Sequence, residues 1–241
     1  MKVTQKIEKN IDCILPGTTF TYQALSIEAS EYTAATKAIE RLLKKKLINR
    51  VSTGVFYKPK QTVFGELKPS EEELLRPYLF DGTKRTAYIT GTALYNKMGL
   101  TTQIPKNIKV ACQGTRIITR IGSMQVTPIK SYVEVTNENY TLLEILDALK
   151  DFKIIPDLDK KMAIRFLLSK IKNLPDQKKE RMIKIALKYP PRVRAFLGAL
   201  ISELKINENT LLLKQSINPL SEYSYGIKEE ELSTITNWNI C

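Results

Sequence analysis

Apolar residues near the start of the chain recur at helical spacing in two blocks. Val3, Ile7, Ile11 and Ile14 predict an amphipathic helix from Lys2 to Ile14, closed by Pro16-Gly17. Ala35, Ala38, Ile39, Leu42 and Leu43 predict a second buried stripe, with Tyr32, Thr33, Thr36, Lys37, Arg41 and Lys44 on the opposite side. Between them, Thr18 to Tyr22 is extended, Tyr22 to Leu25 is a short helix, and Ser26 or Ser30 is placed to cap the longer one. The period then shifts from helical to strand-like. Leu47 to Val51 is β-prone, Ser52-Thr53-Gly54 supplies a turn with glycine available for positive φ, and Val55 to Lys58 returns. Helix, short helix, longer helix and hairpin in this order predict a winged helix-turn-helix over residues 1–60.

Lys58-Pro59-Lys60-Gln61-Thr62 breaks the pattern and is the expected domain boundary. Beyond it, Pro69-Ser70-Glu71 starts a helix, and Ala87 to Thr90 leads as a strand into a helix that Gly99 ends in αL. Ile108 to Cys112 is strand-like, and Arg116 to Ile121 and Met124 to Ile129 flank a Gly122-Ser123 turn. Four amphipathic helices follow, Thr141 to Lys150, Asp157 to Lys172, Asp176 to Tyr189 and Pro191 to Leu204, with short proline-containing links that make neighbours antiparallel. The expected fold class is α+β: the winged block, then a mixed domain over 63–205 with a small antiparallel sheet and a helical bundle. Residues 206–241 are a polar tail, expected to pack through Tyr223, Tyr225 and Trp238 or to stay partly flexible.

At 241 residues, 43% of them hydrophobic, the chain has room for about two globular domains. No apolar run reaches the ~18 residues of a membrane span and Met1 to Lys6 lacks a signal-peptide core, so the expected location is cytoplasmic, with no membrane partner. Cys13, Cys112 and Cys241 are scattered and odd in number, against a disulfide framework or a zinc site; Cys13 and Cys112 are expected in the core. The absence of histidine removes every Ser-His, Cys-His and His-metal mechanism. Asp157 with Asp159, and Glu71-Glu72-Glu73, fit helix starts better than metal pairs. Without a glycine-rich phosphate loop after a strand, the expectation is a non-enzyme with no cofactor or metal.

The net charge is +13, and residues 1–60 hold 11 Lys+Arg against 5 Asp+Glu, leaving +6 there and +7 for the other 181 residues. The winged block is therefore the expected centre of a field that attracts polyanions. Most protein-DNA hydrogen bonds go to phosphates and sugars, while a few side chains early in a recognition helix reach base edges. Thr33, Thr36 and Lys37 are placed for edges, and Arg41, Lys44, Arg50 and Lys58 for phosphates.

The winged block, followed by Phe64-Gly65-Glu66-Leu67-Lys68-Pro69-Ser70 and by Thr90-Gly91-Thr92-Ala93-Leu94-Tyr95-Asn96-Lys97-Met98-Gly99-Leu100-Thr101-Thr102-Gln103-Ile104-Pro105, resembles the AbiEi-type antitoxins of type IV toxin-antitoxin systems. The resemblance covers roughly residues 5–205, through Tyr189-Pro190-Pro191-Arg192-Val193-Arg194-Ala195. It implies a cytoplasmic, non-catalytic autorepressor that binds the promoter DNA of its own operon. It also implies a C-terminal domain that counters a cognate nucleotidyltransferase-like toxin, whether or not the two bind tightly, in a setting of phage defence. Lys46 departs from the pattern, because winged helices often have glycine before the Leu-Ile pair; it requires a costlier αL residue or a different turn.

Gly91 and Gly99 bracket a packed helix, and Thr101 to Pro105 is a turn whose hydroxyls satisfy backbone groups, or else a ligand loop. Arg192 and Arg194 lie at a helix start, where cations oppose the dipole. Either a nearby carboxylate or an outside anion, a toxin's acidic face or an RNA phosphate, would offset that cost. Two further functions stay open: a ligand-responsive winged-helix transcription factor without a toxin, and an RNA-processing enzyme.

Overall fold

A computed structural model describes residues 3–63, 65–114, 119–121, 124–205 and 210–241. It is a mixed α+β protein with small antiparallel sheets and helices. The chain divides into two compact units, Met1–Thr86 with Ile117–Val126, and Ala87–Arg116 with Thr127–Cys241.

In the first unit, α1 (Val3–Asp12) buries Ile7 and Ile11, and α2 (Tyr32–Lys44) buries Ala35, Ala38, Ile39 and Leu42. These stripes meet Phe20, Leu25, Ile48 and Phe56 in one core. The short helix is a 3-10 turn, Gln23–Leu25, followed by a second at Ala29–Glu31. Neither expected serine caps α2: Ser26 sits in αL at φ 49°, and the backbone N–H of Glu28 donates to Glu31 Oε2 at 3.4 Å. Lys6 Nζ also reaches Glu31, at 3.0 Å, and ties α1 to the start of α2.

Strands β1 (Thr19–Thr21), β2 (Asn49–Ser52) and β3 (Val55–Tyr57) form an antiparallel sheet in the order β1-β3-β2. Gly54, at φ 75°, supplies the left-handed residue of the β2–β3 turn. A bulge between Arg50 and Ser52 locally shifts the register of β2, and Ser52 Oγ lies 2.7 Å from Tyr78 Oη.

The chain does not separate at 58–62. The hairpin β4 (Lys60–Thr62) and β5 (Gly65–Leu67) is latched by Glu66 Oε1, which accepts from Asn49 Nδ2 at 2.6 Å and from Tyr57 Oη at 2.9 Å. Helix α3 (Glu71–Leu79), capped by Ser70, is clamped to β1 because Thr19 N–H and Oγ1 both donate to Glu73 Oε1, each at 2.9 Å. Residues 63–86, expected with the second domain, thus complete the first unit, which ends on the hairpin β6 (Phe80–Asp81) and β7 (Lys84–Arg85).

In the second unit, β8 (Ala87–Thr90) leads into α4 (Thr92–Lys97) through Gly91, and pairs antiparallel with β9 (Asn107–Cys112). An added Cβ at Gly91 would lie 2.9 Å from the Lys109 side chain, and φ there is 70°. The start of β11 (Met124–Lys130) pairs antiparallel with β10 (Thr119–Ile121), and these paired residues belong to the first unit, which includes Ile117–Val126. The Gly122-Ser123 turn, Arg116 and Phe64 lie outside the described residues.

Helices α5 (Tyr140–Asp151), α6 (Lys160–Lys172), α7 (Asp176–Ala186) and α8 (Pro191–Glu203) follow, then α9 (Leu211–Gln215). Asp159, not Asp157, caps α6 by accepting from Met162 N–H at 2.9 Å. The last residues are part of the core: Leu213, Tyr225, Ile227, Leu232, Ile235, Trp238 and Ile240 are buried with the helices. Cys13 is exposed just past the end of α1 and Cys112 is half-buried, so neither is the core residue expected.

The second unit also buries a carboxylate. Asp147 Oδ2 on α5 accepts from Tyr88 Oη at 2.9 Å and Thr90 Oγ1 at 2.6 Å, while Lys150 Nζ donates to Oδ1 at 3.0 Å. Tyr95 of α4 donates to Asp151 Oδ2 at 2.7 Å. Burial first, then the nearby carboxylates, pushes Tyr88 and Tyr95 far above the ordinary tyrosine range. Burial alone lowers the Lys150 ammonium, but Asp147 and Asp151 outweigh it and hold it above the usual lysine value.

Gly198 of α8 has no room for a side chain, since a Cβ would lie 2.2 Å from the Trp238 ring. Gly198→Ala is expected to cost ~1–3 kcal/mol by overpacking, read from denaturant melts followed by the fluorescence of Trp238, the chain's single tryptophan. Asp147→Ala removes the shared acceptor of Tyr88, Thr90 and Lys150, leaving Lys150 only Asp151 at 3.9 Å, and is expected to cost ~3–5 kcal/mol. In the wild type, Tyr88, Tyr95 and Lys150 hold protons that the unfolded chain releases near pH ~10. Their contribution is therefore full below that pH and is lost as pH rises through the folded values. A melting temperature that stays level from pH 8 to about 11.5 would contradict it.

Candidate nucleic-acid interface

The buried stripe of α2 fixes what its other side presents. Thr33, Lys37, Arg41 and Lys44 are exposed along the helix, and Arg50 is exposed on β2 with its guanidinium 5.7 Å from the Phe56 ring centroid. Among the described residues no ion pair occupies Lys37, Arg41, Lys44 or Arg50, although Glu40 also faces solvent. Arg41 and Lys44 lie in the last turn of α2, where cations complement the helix dipole. The lysines thus have a structural reason to be there as well as a capacity to meet phosphates.

Two of the seven predicted residues are placed otherwise. Lys58 is turned back onto α1, where its Nζ donates to the carbonyls of Ile11 at 3.1 Å and Asp12 at 3.0 Å. It is a C-cap for the first helix, meeting carbonyls that the helix leaves without partners. Thr36 is half-buried and donates its hydroxyl proton to Tyr32 O at 3.0 Å, which leaves only acceptor capacity. Lys46 does adopt αL, at φ 56°, so the helix ends without the glycine.

In the second unit, Arg194 is also engaged internally. Its Nε donates to Tyr189 O at 2.9 Å and its Nη1 to Ser216 O at 2.7 Å, joining the start of α8 to the end of α9. Backbone carbonyls, not a carboxylate, offset the charge. Arg192 is exposed. The expected turn at Thr101 is present: its Oγ1 accepts from Gln103 N–H at 3.2 Å. A cleft of about 340 Å³ opens beside it, lined by Met98, Gly99, Leu100, Thr101 and Thr102 with Met162 and Phe166 of α6. Among the described residues, no group of three or more His, Cys, Asp or Glu side chains could hold a metal ion, and no helix is long and apolar enough to cross a membrane.

The model of a family of unknown function, DUF6088, matches residues 6–183, about three quarters of the chain. The chain belongs to this family. No curated protein matches the sequence. Among solved structures, the chain is similar to the RV2827C protein from Mycobacterium tuberculosis, with 10% identity and a TM-score of 0.49 over 100% of this chain and 91% of that one. That likeness is too distant to carry an argument. The family match spans both units and so covers the α2 face as well as the buried carboxylate of α5.

The sequence reading missed one feature of the charge. Residues 160–194 hold 12 Lys+Arg against 2 Asp+Glu, a net +10, so the densest positive charge lies there and not in the first 60 residues. Comparing the first 60 residues with all the others averaged this stretch away; counting by helix finds it.

The two left-handed residues flanking β2 make opposite predictions. Lys46→Gly relieves a strained φ and is expected to raise the stability of the first unit by up to ~1 kcal/mol. Gly54→Val, at φ 75°, is expected to lower it by ~1–3 kcal/mol. Chemical denaturation of the two variants checks the pair, and equal signs would refute the assignment of strain.

Proposed function

We propose that the first unit is a winged helix-turn-helix that binds duplex DNA in the promoter of its own operon. The β2–β3 hairpin is the wing, and α2 enters the major groove. On this reading the protein is a non-catalytic, cytoplasmic antitoxin of AbiEi type. Its second unit counters a nucleotidyltransferase-like toxin. The observation that carries the reading is the exposed row Thr33, Lys37, Arg41 and Lys44 on α2 with Arg50 on the hairpin, the four cations forming no ion pair among the described residues. Thr33 and Lys37 near the start of the helix suit base edges, and Arg41, Lys44 and Arg50 suit phosphates.

A specific observation favours a second reading. The cleft of about 340 Å³ beside Gly99 to Thr102 is large enough for a small ligand, as a ligand-responsive transcription factor without a toxin would need. Co-expression with the product of the neighbouring gene separates the two. Rescue of growth supports the antitoxin, and a neighbour without toxicity supports the sensor.

For DNA binding, Arg41→Ala, Lys44→Ala and Arg50→Ala should each weaken binding to promoter and scrambled duplex alike and lower the salt slope by about one unit. Lys58→Ala should instead loosen α1, lowering thermal stability with the salt slope unchanged. Gel shifts at three salt concentrations test this. Unchanged affinity in all three phosphate variants would overturn the assignment.

A further inference from the structure

The second unit carries a basic ridge that the operator reading does not use. Helix α7 buries Met182, Ile183, Ile185 and Ala186, and turns Arg181 and Lys184 to solvent. The exposed line continues past the helix end through Lys188, whose N–H donates to Ile185 O at 2.9 Å, to Arg192 at the start of α8. Among the described residues none of Arg181, Lys184, Lys188 or Arg192 forms an ion pair. Arg181 does lie within electrostatic range of the exposed Glu138.

An aromatic ring joins this line at Tyr189, between Lys188 and Arg192. Tyr132 is 41% exposed and stacks on Tyr189, the residue after Lys188, with ring centroids 4.2 Å apart. Lys150 Nζ lies 5.8 Å from the Tyr132 centroid. The segment bearing Tyr132 is held in place: Ser131 N–H donates to Cys112 O at 2.9 Å and Ser131 Oγ to Val133 O at 2.7 Å. The ring is therefore preorganised, and little ordering cost remains when something stacks on it.

What the ridge lacks identifies its partner. The core of a protein-protein interface is depleted in lysine and built on a cluster of apolar and aromatic anchors, whereas no apolar side chain of α7 is exposed and a single tyrosine, Tyr132, accompanies its cations. A row of unpaired cations instead matches successive phosphates. A duplex hides its base faces, so a part-exposed ring joined to such a row suits an unstacked base. We infer that the α7 ridge, from Arg181 through Lys188 to Arg192, with Tyr132 as a stacking platform, is a binding site for single-stranded nucleic acid. This site does not depend on operator binding by α2.

Fluorescence anisotropy of the full-length chain tests it, with a labelled 12-nucleotide RNA, the same sequence as single-stranded DNA, and a blunt duplex of that sequence. The wild type is expected to bind the single strands more tightly than the duplex, and the tighter of the RNA and DNA arms identifies the source. Lys184→Glu with Lys188→Glu is expected to weaken single-strand binding at least about tenfold at low salt. The milder Lys184→Gln with Lys188→Gln should move it the same way, and both should melt like the wild type. Tyr132→Ala is expected to cost roughly five- to tenfold, and Tyr132→Phe nothing, because the stacking face is retained. Arg41→Ala is expected to leave single-strand binding unchanged. A wild type that prefers the duplex, ridge variants that fold and bind as the wild type does, or a polyglutamate competitor as effective as oligonucleotide at equal charge would each overturn the proposal.

Discussion

The second unit is organised around a carboxylate that water does not reach. Burying Asp147 carries a desolvation cost of several kcal/mol per ion, and the fold tolerates it only because Tyr88, Thr90 and Lys150 converge on its two oxygens. Those partners come from β8 and from the next turn of α5, so satisfying the charge fixes the strand against the helix. Thr90 immediately precedes Gly91, the residue from which α4 departs, and Tyr95 of α4 closes the set on Asp151. The register of β8 on α5 and the departure of α4 are therefore specified together. A purely apolar contact, which is nondirectional, would hold them less uniquely.

The first unit solves a different problem. Its core is small, and a small core leaves a domain marginal. Long-range polar contacts add to it: Lys58 on the end of α1, Glu73 on Thr19, Glu66 on Asn49 and Tyr57. These contacts satisfy the α1 carbonyls, the Thr19 N–H and hydroxyl, the Asn49 amide and the Tyr57 hydroxyl. Removing α3 from the unit would strip both donors of Thr19 of their acceptor, which is why the unit runs to Thr86 instead of stopping after the hairpin.

How far the sequence was legible follows from the range of each interaction. The stripe Ala35, Ala38, Ile39 and Leu42 has the period of the helix itself, and Gly54 and Lys46 declare a left-handed backbone through residue type or through its absence. Such signals are local. Lys58 reads as a phosphate ligand because nothing within several residues reveals that its partners are 46 and 47 positions earlier. Arg194 was misread for the same reason, its second acceptor lying 22 residues on at Ser216. The boundary expected at 58–62 rests on a local break in the pattern, whereas the contacts that return the chain to the same unit are long-range, Glu66 to Asn49 over 17 residues and Glu73 to Thr19 over 54. The α2 face, built on one element, was legible; the anchoring side chains were not.

The charge distribution separates the two exposed basic faces by their surroundings. On α2, the cations stand beside hydroxyl groups and a hairpin, a combination that mixes phosphate contacts with groups able to meet base edges. On α7 no apolar side chain is exposed, and the basic line that continues to Lys188 meets a tyrosine pair at Tyr189. Charge alone treats both as polyanion sites, since counterion release depends on the number of phosphates met and not on their sequence. The neighbours of the charge break that equivalence. A held, part-exposed ring gains from an unpaired base and gains nothing from a stacked duplex, so the residue that distinguishes the ridge is Tyr132, which carries no charge at all.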